Sequence, residues 1–227
     1  MRNLNFCALA VVLLTGQANP QSTRFLPVSK ADLCVTEGAI DQAPGQPLSV
    51  NVSKMRAYVN AYTQPAAEAR FTYLGSTPNE SPLASGEMRR QFGLKLLAQD
   101  ACNLVYAMWR IEAESKLVVS VKSNHGEHTS AQCGNRGYQN IKPRRSSPVP
   151  VLTPGSAHTL RAQMNGTEME VFADNSLVWE GSLGADALSF DGPVGLRSDN
   201  ARLLIDFATG QLTKQQTSPG CRGQESE

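Results

Sequence analysis

The sequence predicts an all-β protein in which two antiparallel sheets pack together as a sandwich. Apolar residues recur with a period near two, turn-forming residues punctuate the runs, and no segment has the periodicity of an amphipathic helix. In the segment Lys116 to Asn124, for example, Leu117, Val119 and Val121 alternate with a mostly polar set that consists of Val118, Ser120, Lys122 and Asn124. Two sheets that each carry one apolar face bury those faces against each other.

The strand predictions follow this alternation along the chain. Asn165-Gly166 and Asp174-Asn175 are predicted hairpin turns because their residues tolerate positive φ, and Pro143 to Pro154 is predicted to be a loop. In Met88 to Ala98, the residue set that contains Gln91 and Lys95 is predicted to be solvated. The predicted strands are Ser49 to Asn60, Ala69 to Gly75, Met88 to Ala98, Asn103 to Glu112, Lys116 to Asn124, Ala157 to Met164, Glu168 to Ala173, Ser176 to Gly181 and Gly195 to Phe207.

Residues 1–18 have the features of a secretory signal peptide. Arg2 supplies the positive start, Phe6 to Leu14 form an apolar run, and Gly16-Gln17-Ala18 offers small residues for cleavage. The apolar run is too short to span a bilayer as a helix, which needs about 20 residues. We therefore expect a secreted or periplasmic protein without a membrane span.

The mature chain is predicted to contain one domain between two polar segments. Residues 19–47 are predicted to be an N-terminal arm, residues 48–209 the domain, and residues 210–227 a polar tail. With 21 basic and 20 acidic side chains, the balance gives no indication of nucleic acid or an anionic membrane as partner. An uncharged polymer such as a glycan is compatible with that balance.

Cys34, Cys102, Cys133 and Cys221 remain after the leader, and an even number in an exported protein predicts disulfides. Of the three connectivities, we favour Cys102 with Cys133, which closes a predicted hairpin region, and Cys34 with Cys221, which ties the two ends together. Unpaired thiols are the alternative. Zinc is disfavoured because no two cysteines have the close spacing of a structural zinc site.

The segment Ala157 to Phe207 carries a family resemblance. An HTLR strand, an Asn-Gly turn, an LVWEG strand and the run GPVGLRSDN occur in the order found in the closing half of a concanavalin A-like or laminin G-like jelly roll. The segment is also similar to 3-keto-disaccharide hydrolase-like domains. The earlier stretch RRQFGLKLLAQDACNLVYAMWRI is similar to the central strands of such domains. The resemblance implies an antiparallel two-sheet jelly-roll sandwich.

Function stays open under this resemblance, because its members include lectins, glycan-binding modules, glycosidases and polysaccharide lyases. Laminin G-like domains commonly bind calcium, for which Asp174, Asp199 and Asn200 are candidate oxygen donors without a recognisable loop. We predict no cofactor and no metal site, and calcium is the one ion that the resemblance allows.

Candidate ligand-binding residues lie on the predicted polar face and in the loop after it. Tyr106, Arg110, Lys122 and Asn124 share the polar phase of their strands, whereas Trp109 is predicted to lie in the core. Weaker members of the polar face are Arg89, Gln91 and Arg161. The loop adds His125, Arg136 and Tyr138, and Cys133 is predicted to anchor its part from Ser130 to Lys142. An ordinary polar turn with Tyr138 packed on the sheet is the alternative.

Catalysis is the second hypothesis. Glu112 and Glu114 are the nearest approach to a glycosidase carboxylate pair, but they do not complete a glucanase-type motif. A polysaccharide lyase needs a Tyr or His with an Arg or Asn, and the loop supplies such residues without a lyase motif. The leading hypothesis is a carbohydrate- or cell-surface-polymer-binding module. A polysaccharide-degrading enzyme and a structural or adhesive domain that contacts another protein are the alternatives, and no catalytic residue is assigned.

Overall fold

A computed structural model describes residues 24–111, 114–212 and Cys221. The predicted signal peptide and most of the predicted tail therefore lie outside the described residues. Within these residues, one short α-helix, α1 (Ser130–Cys133), and two 3-10 helices, Lys30–Asp32 and Ala185–Ser189, accompany the strands. The strands are β1 (Leu26–Val28), β2 (Leu33–Glu37), β3 (Leu48–Val50), β4 (Lys54–Val59), β5 (Ala66–Ser76), β6 (Gln91–Leu96), β7 (Leu104–Arg110), β8 (Lys116–Lys122), β9 (Tyr138–Asn140), β10 (Arg145–Ser146), β11 (Ala157–Asn165), β12 (Glu168–Ala173), β13 (Ser176–Ser182), β14 (Gly195–Asp199) and β15 (Ala201–Thr209).

The strands form two antiparallel sheets. The front sheet has the order β2-β4-β14-β6-β7-β8-β9. The back sheet has the order β1-β15-β5-β11-β12-β13-β10, and β3 also pairs with β15. The prediction of an all-β, two-sheet jelly-roll sandwich is confirmed.

Aromatic and aliphatic side chains from both sheets fill the space between them. The ring of Phe71 on the back sheet lies 4.7 Å from that of Phe92 and 5.8 Å from that of Trp109, both on the front sheet. Trp109 is fully buried, as predicted, and Val119 and Leu160 are buried with it. Burying such side chains contributes about 1.5–3 kcal/mol each, so the core holds the sheets together.

Two segments predicted as single strands are each divided between the sheets. Gly195 to Phe207 forms β14 in the front sheet and β15 in the back sheet, separated by Asn200 at φ 55°. The buried Asn200 amide donates to the carbonyl oxygens of Ser81 and Arg89, which fixes the crossing. The predicted strand Ser49 to Asn60 likewise becomes β3 and β4. Alternation predicts which side a residue faces, but it does not show where a chain changes sheets.

Short strands also occur where the sequence predicted none. In the predicted arm, β1 pairs with β15 and β2 pairs with β4, so each sheet gains an edge strand. In the predicted loop Pro143 to Pro154, β10 pairs with β13. Runs of two to five residues are too short to show a period of two, and pairing with a neighbouring strand determines their conformation.

Two disulfides occur in the described residues, and both have the favoured connectivity. Cys34 is bonded to Cys221 and Cys102 to Cys133. The second bond holds α1 against the start of β7. Within this same part of the chain, no helix is long and apolar enough to cross a membrane.

Candidate functional site

The outer face of the front sheet carries a cluster of charged and aromatic side chains. Arg56 on β4 lies opposite Arg197 on β14, and Lys95 on β6 lies opposite Tyr106 on β7. Further along, Lys122 on β8 lies opposite Tyr138 on β9. We call this set the basic face, and it comprises Arg56, Gln91, Lys95, Tyr106, Lys122, Tyr138, Arg197 and Asp199.

Much of the basic face is buried. The predicted solvated positions Gln91 and Lys95 are only 2% and 7% exposed, so that part of the prediction is wrong. Both lie in the middle of the seven-stranded front sheet, where long side chains of the neighbouring strands surround them. Alternation predicts on which face of the sheet a residue lies. It does not predict how far neighbouring side chains cover a residue on the outer face.

Asp199 organises the centre of the basic face. Its carboxylate accepts hydrogen bonds from Arg56 Nη2 at 2.6 Å, Arg197 Nε at 3.0 Å and Gln91 Nε2 at 2.6 Å. Burial alone would raise the pKa of Asp199, but the two guanidinium groups and the amide lower it to about 2. The carboxylate is therefore ionised and neutralises part of the charge around it.

Two tyrosines and Arg197 form the second part of the basic face. The rings of Tyr106 and Tyr138 stack with their centroids 5.9 Å apart, and Arg197 Nη1 donates to Tyr138 Oη at 3.1 Å. Burial raises the pKa of Tyr106. Burial also acts to raise the pKa of Tyr138, but the positive charges of Arg197 and Lys122 outweigh it and lower that pKa. Environment thus separates the acidities of two neighbouring phenols.

Lys95 differs from the other cations of the basic face. Among the residues that the structure describes, its ammonium group has no hydrogen bond or ion pair. Burial, reinforced by the charges of Arg56 and Arg197, lowers its pKa to about 7. Gly195, its neighbour on β14, presents no side chain that could serve as a counter-ion.

Lys122, a predicted ligand-binding residue, is held by the loop after β8. Its Nζ donates to the carbonyl oxygens of Ala101 and Gly134, both at 3.0 Å, and contacts Cys133 Sγ at 3.1 Å. The same ammonium lies 5.1 Å from the centre of the Tyr138 ring. Lys122 thus positions the loop and the tyrosine, and few of its protons remain for a ligand.

The other predicted loop residues do not join the basic face. The Asn124 amide donates to the carbonyl oxygens of Cys102 and Arg136, so it supports the loop from within. Arg136 is exposed and pairs with Glu127 at 2.6 Å. His125 is exposed in the turn that follows β8. Of the predicted ligand-binding residues, the structure brings together Tyr106, Lys122 and Tyr138 on the basic face, and Arg110 borders that face beside Gln91.

Arg110 lies at one end of the front sheet, beside a separate cleft. It is opposite Gln91 on β6 and Lys116 on β8. The cleft has a volume of about 580 Å³ and is lined, among others, by Arg110, Lys116, Asn140 and Trp179. Of the weaker candidates, Gln91 lies on the basic face. Arg89 pairs with Glu87, and Arg161 stacks on Phe172 of the back sheet.

Three residues on the back sheet form a Ser–His–Asp chain that has a structural explanation. His158 Nδ1 lies 2.8 Å from the Asp174 carboxylate, and its Nε2 lies 3.0 Å from Ser156 Oγ. However, the Ser156 hydroxyl donates to the carbonyl oxygen of Thr153 at 2.6 Å, which closes a tight turn before β11. The hydroxyl hydrogen therefore points to a backbone carbonyl oxygen and not to the histidine.

The candidate oxygen donors for calcium are not brought together. Asp174 lies in a turn of the back sheet, whereas the Asp199 carboxylate is bound by guanidinium groups. Among the described residues, no three His, Cys, Asp or Glu side chains form a group that could hold a metal ion. Of the carboxylate pair Glu112 and Glu114, the first lies outside the described residues and the second is exposed.

Four members of the basic face were not among the predicted ligand-binding residues, namely Arg56, Lys95, Arg197 and Asp199. Each of the four lies in a segment predicted as a strand, and Arg197 has the polar phase within GPVGLRSDN. The signal that could have identified them is the occurrence of charged residues in the middle of predicted strands, away from turns. Such positions normally carry a cost that a counter-ion or a ligand must offset.

Comparison with known proteins gives likeness in structure alone. No protein-family model matches the sequence, and neither does any curated protein. The carbohydrate-binding module CBM66 from Bacillus subtilis superposes with a TM-score of 0.51 at 14% identity, covering 77% of this chain and 92% of the module. A second structure is described as an endo-acting O-glycanase that members of the human gut microbiota express to initiate mucin breakdown. It superposes with a TM-score of 0.50 at 9% identity, covering 84% of this chain and 96% of the glycanase chain. At such low identity these likenesses show that the chain shares the jelly-roll fold.

Proposed function

We propose that this protein is an exported glycan-binding module whose ligand lies against the basic face. The observation that carries the proposal is the concentration of polar and aromatic side chains in the middle of that face. Charged side chains on the solvent-facing side of a sheet are normally exposed, because removing them from water is costly. A ligand-binding role explains why the strands hold them there.

Particular groups on the basic face suit a sugar. Tyr138 is 39% exposed and is fixed by Tyr106, Lys122 and Arg197, so it offers a rigid ring for stacking on a pyranose. Gln91 Oε1, beneath this surface, is an acceptor that receives no hydrogen bond within the described residues. Rigid aromatic surface together with unpaired acceptors is what hydroxyl-rich ligands require.

The structural neighbours and the disulfides support the same proposal. Both superposed proteins are described as binding or cleaving carbohydrate. Two disulfides are typical of proteins that fold in an oxidising compartment, in line with the predicted secreted or periplasmic location. The finer likeness to 3-keto-disaccharide hydrolase-like domains remains a prediction.

A glycan array probed with the mature protein tests the module. We expect binding to at least one glycan, and we expect Tyr138→Ala to weaken it at least about tenfold because the stacking platform is lost. Phe172→Ala, which removes a partly exposed ring from the outer face of the back sheet, is the matched control. If no glycan binds, or if both variants weaken binding equally, the basic face is not the site.

A polysaccharide lyase is the second candidate, and the environment of Tyr138 favours it. Arg197 and Lys122 lower the pKa of the Tyr138 phenol, so it forms a phenolate more readily, and a phenolate can accept a proton from the carbon next to a uronate carboxylate. The C–H electron pair then forms the sugar double bond as the glycosidic C–O bond breaks. The departing oxygen takes up a proton from a second donor, a role that we assign to Tyr106, whose hydroxyl is hydrogen-bonded to that of Tyr138.

Turnover separates the two candidates. A lyase releases an unsaturated sugar that absorbs ultraviolet light, and Tyr138→Phe is expected to abolish its formation while glycan binding persists. Binding by the wild type with no absorbance change on any acidic polysaccharide supports the module alone.

A further inference from the structure

The charges of the basic face do not balance. Four cations, Arg56, Lys95, Lys122 and Arg197, occupy neighbouring strands, and Asp199 is the carboxylate buried among them. Glu37 approaches Arg56 Nε at 3.6 Å from the edge of the sheet and is partly exposed, and the Asp100 carboxylate acts on Lys122. Three negative groups therefore face four positive ones, and an excess of buried positive charge is costly unless something neutralises it.

Three of the four cations have their partners within the protein. Arg56 and Arg197 share Asp199, and Lys122 donates to backbone carbonyl oxygens. Lys95 is the exception among the described residues, although it is more than nine-tenths buried. An ammonium group with three free donors, next to two guanidinium groups, is a specific site for an anion.

Resting on the proposed function, we infer that Lys95, flanked by Arg56 and Arg197, is a subsite for an anionic group on the glycan, either a uronate carboxylate or a sulfate ester. The anion supplies the missing counter-charge, and the ring that carries it extends toward Tyr106 and Tyr138. Acidic glycans are thus preferred over neutral ones of the same backbone.

The same site makes recognition depend on pH. Lys95 must be protonated to attract an anion, and its pKa lies at about 7 in the free protein. Affinity for the acidic glycan therefore falls as pH rises above 7. Well below pH 7 Lys95 is already protonated, so binding takes up fewer protons there than it does at pH 7. The charged or titratable groups that face Lys95 from the surrounding strands are Glu37, Arg56, Tyr58, Tyr106, Arg197 and Asp199.

Calorimetry with matched probes tests the inference on the mature protein. The probes are oligogalacturonate, its methyl ester, a sulfated galactan oligosaccharide and its desulfated form, measured at about pH 6 and about pH 9. We expect at least one acidic probe to bind about tenfold or more tightly than its neutral partner at the lower pH, with the preference reduced at the higher pH. Comparison of the uronate and sulfate pairs shows which anion fits.

Substitutions at Lys95 assign the preference to this side chain. Lys95→Gln is expected to remove the preference at both pH values, whereas Lys95→Arg, which stays charged, is expected to retain it at about pH 9. Arg70→Gln removes an exposed cation from the outer face of the back sheet and is expected to change nothing. Near-ultraviolet circular dichroism verifies that each variant is folded.

The outcomes distinguish this inference from the proposed function. Equal affinity for the acidic and neutral members of each pair, or a preference that survives Lys95→Gln, overturns the anionic subsite while glycan binding stands. Absence of binding to every glycan, neutral or acidic, overturns both.

Discussion

At the scale of single residues, the basic face depends on Asp199. Its carboxylate joins β14 to β4 through Arg56 and to β6 through Gln91, and it also orients Arg197 toward Tyr138. Removing one partner of a buried ion pair destabilises a protein more than replacing both partners with apolar residues, because the remaining charge stays buried without a partner.

Asp199→Asn is therefore expected to destabilise the fold by roughly 3–5 kcal/mol, because two buried guanidinium groups lose their counter-ion. Urea denaturation measures this loss, and Asp206→Asn, at an exposed position of β15, is the control. A loss no larger than that of the control would contradict the role of Asp199.

Acid titration gives an independent measurement of the same carboxylate. The pKa of Asp199 is about 2 in the folded protein, whereas an aspartate in the unfolded chain has the ordinary value of 3.8. The ionised carboxylate therefore stabilises the fold above pH 3.8. That contribution, about 2 kcal/mol, is expected to be lost as pH falls from 3.8 through 2. The unfolding free energy of Asp199→Asn should lack this component of the acid dependence.

At the scale of elements, the loop between β8 and β9 determines where Tyr138 lies. The disulfide from Cys102 to Cys133, the Lys122 ammonium and the Asn124 amide all hold this loop against the front sheet. Gly137 makes that close approach feasible, because a Cβ at this position would lie 2.4 Å from Asn124 Nδ2 and from the Ser123 carbonyl oxygen.

Gly137→Ala is compared with Gly126→Ala, in the same loop, to test this approach. Both glycines have a similar positive φ, of 75° and 78°, but a Cβ on Gly126 would meet nothing within 4 Å. We expect Gly137→Ala to destabilise the protein by about 1–3 kcal/mol more than Gly126→Ala, because both substitutions place an alanine at positive φ and only the first also overpacks the loop. Equal unfolding free energies would show that the loop can move away without cost.

The length of each strand determines whether it could be predicted from the sequence. Long strands with sustained alternation, such as β8 and β11, were found within two residues of their ends. Edge strands such as β1, β9 and β10 are too short for alternation to show, and they form because a neighbouring strand offers hydrogen bonds. The division at Asn200 depends on contacts with residues 81 and 89, which lie far away in sequence.

At the scale of the whole molecule, strand order creates the basic face. Arg56, Lys95, Tyr106 and Arg197 are separated by long stretches of sequence, yet their strands are adjacent in the order β4-β14-β6-β7. Tyr106 was predicted from its phase, because alternation identifies outward residues within one strand. Which outward residues meet across strands depends on how the strands pair. Pairing between strands that are distant in sequence cannot be predicted from the pattern within one segment.

Lys95 links this arrangement to the stability of the whole fold. Its pKa is about 7 in the folded protein and 10.5 in its ordinary state, so between these pH values the unfolded chain binds more protons than the folded one. Stability therefore rises with pH across this window, by up to about 1.4 kcal/mol per pH unit for one proton. We expect urea denaturation to show this rise in the wild type and in Lys142→Gln, an exposed control, but to a smaller extent in Lys95→Gln. Parallel profiles for all three proteins would show that Lys95 keeps its proton in the folded state, which would mean that the protein already provides its counter-charge.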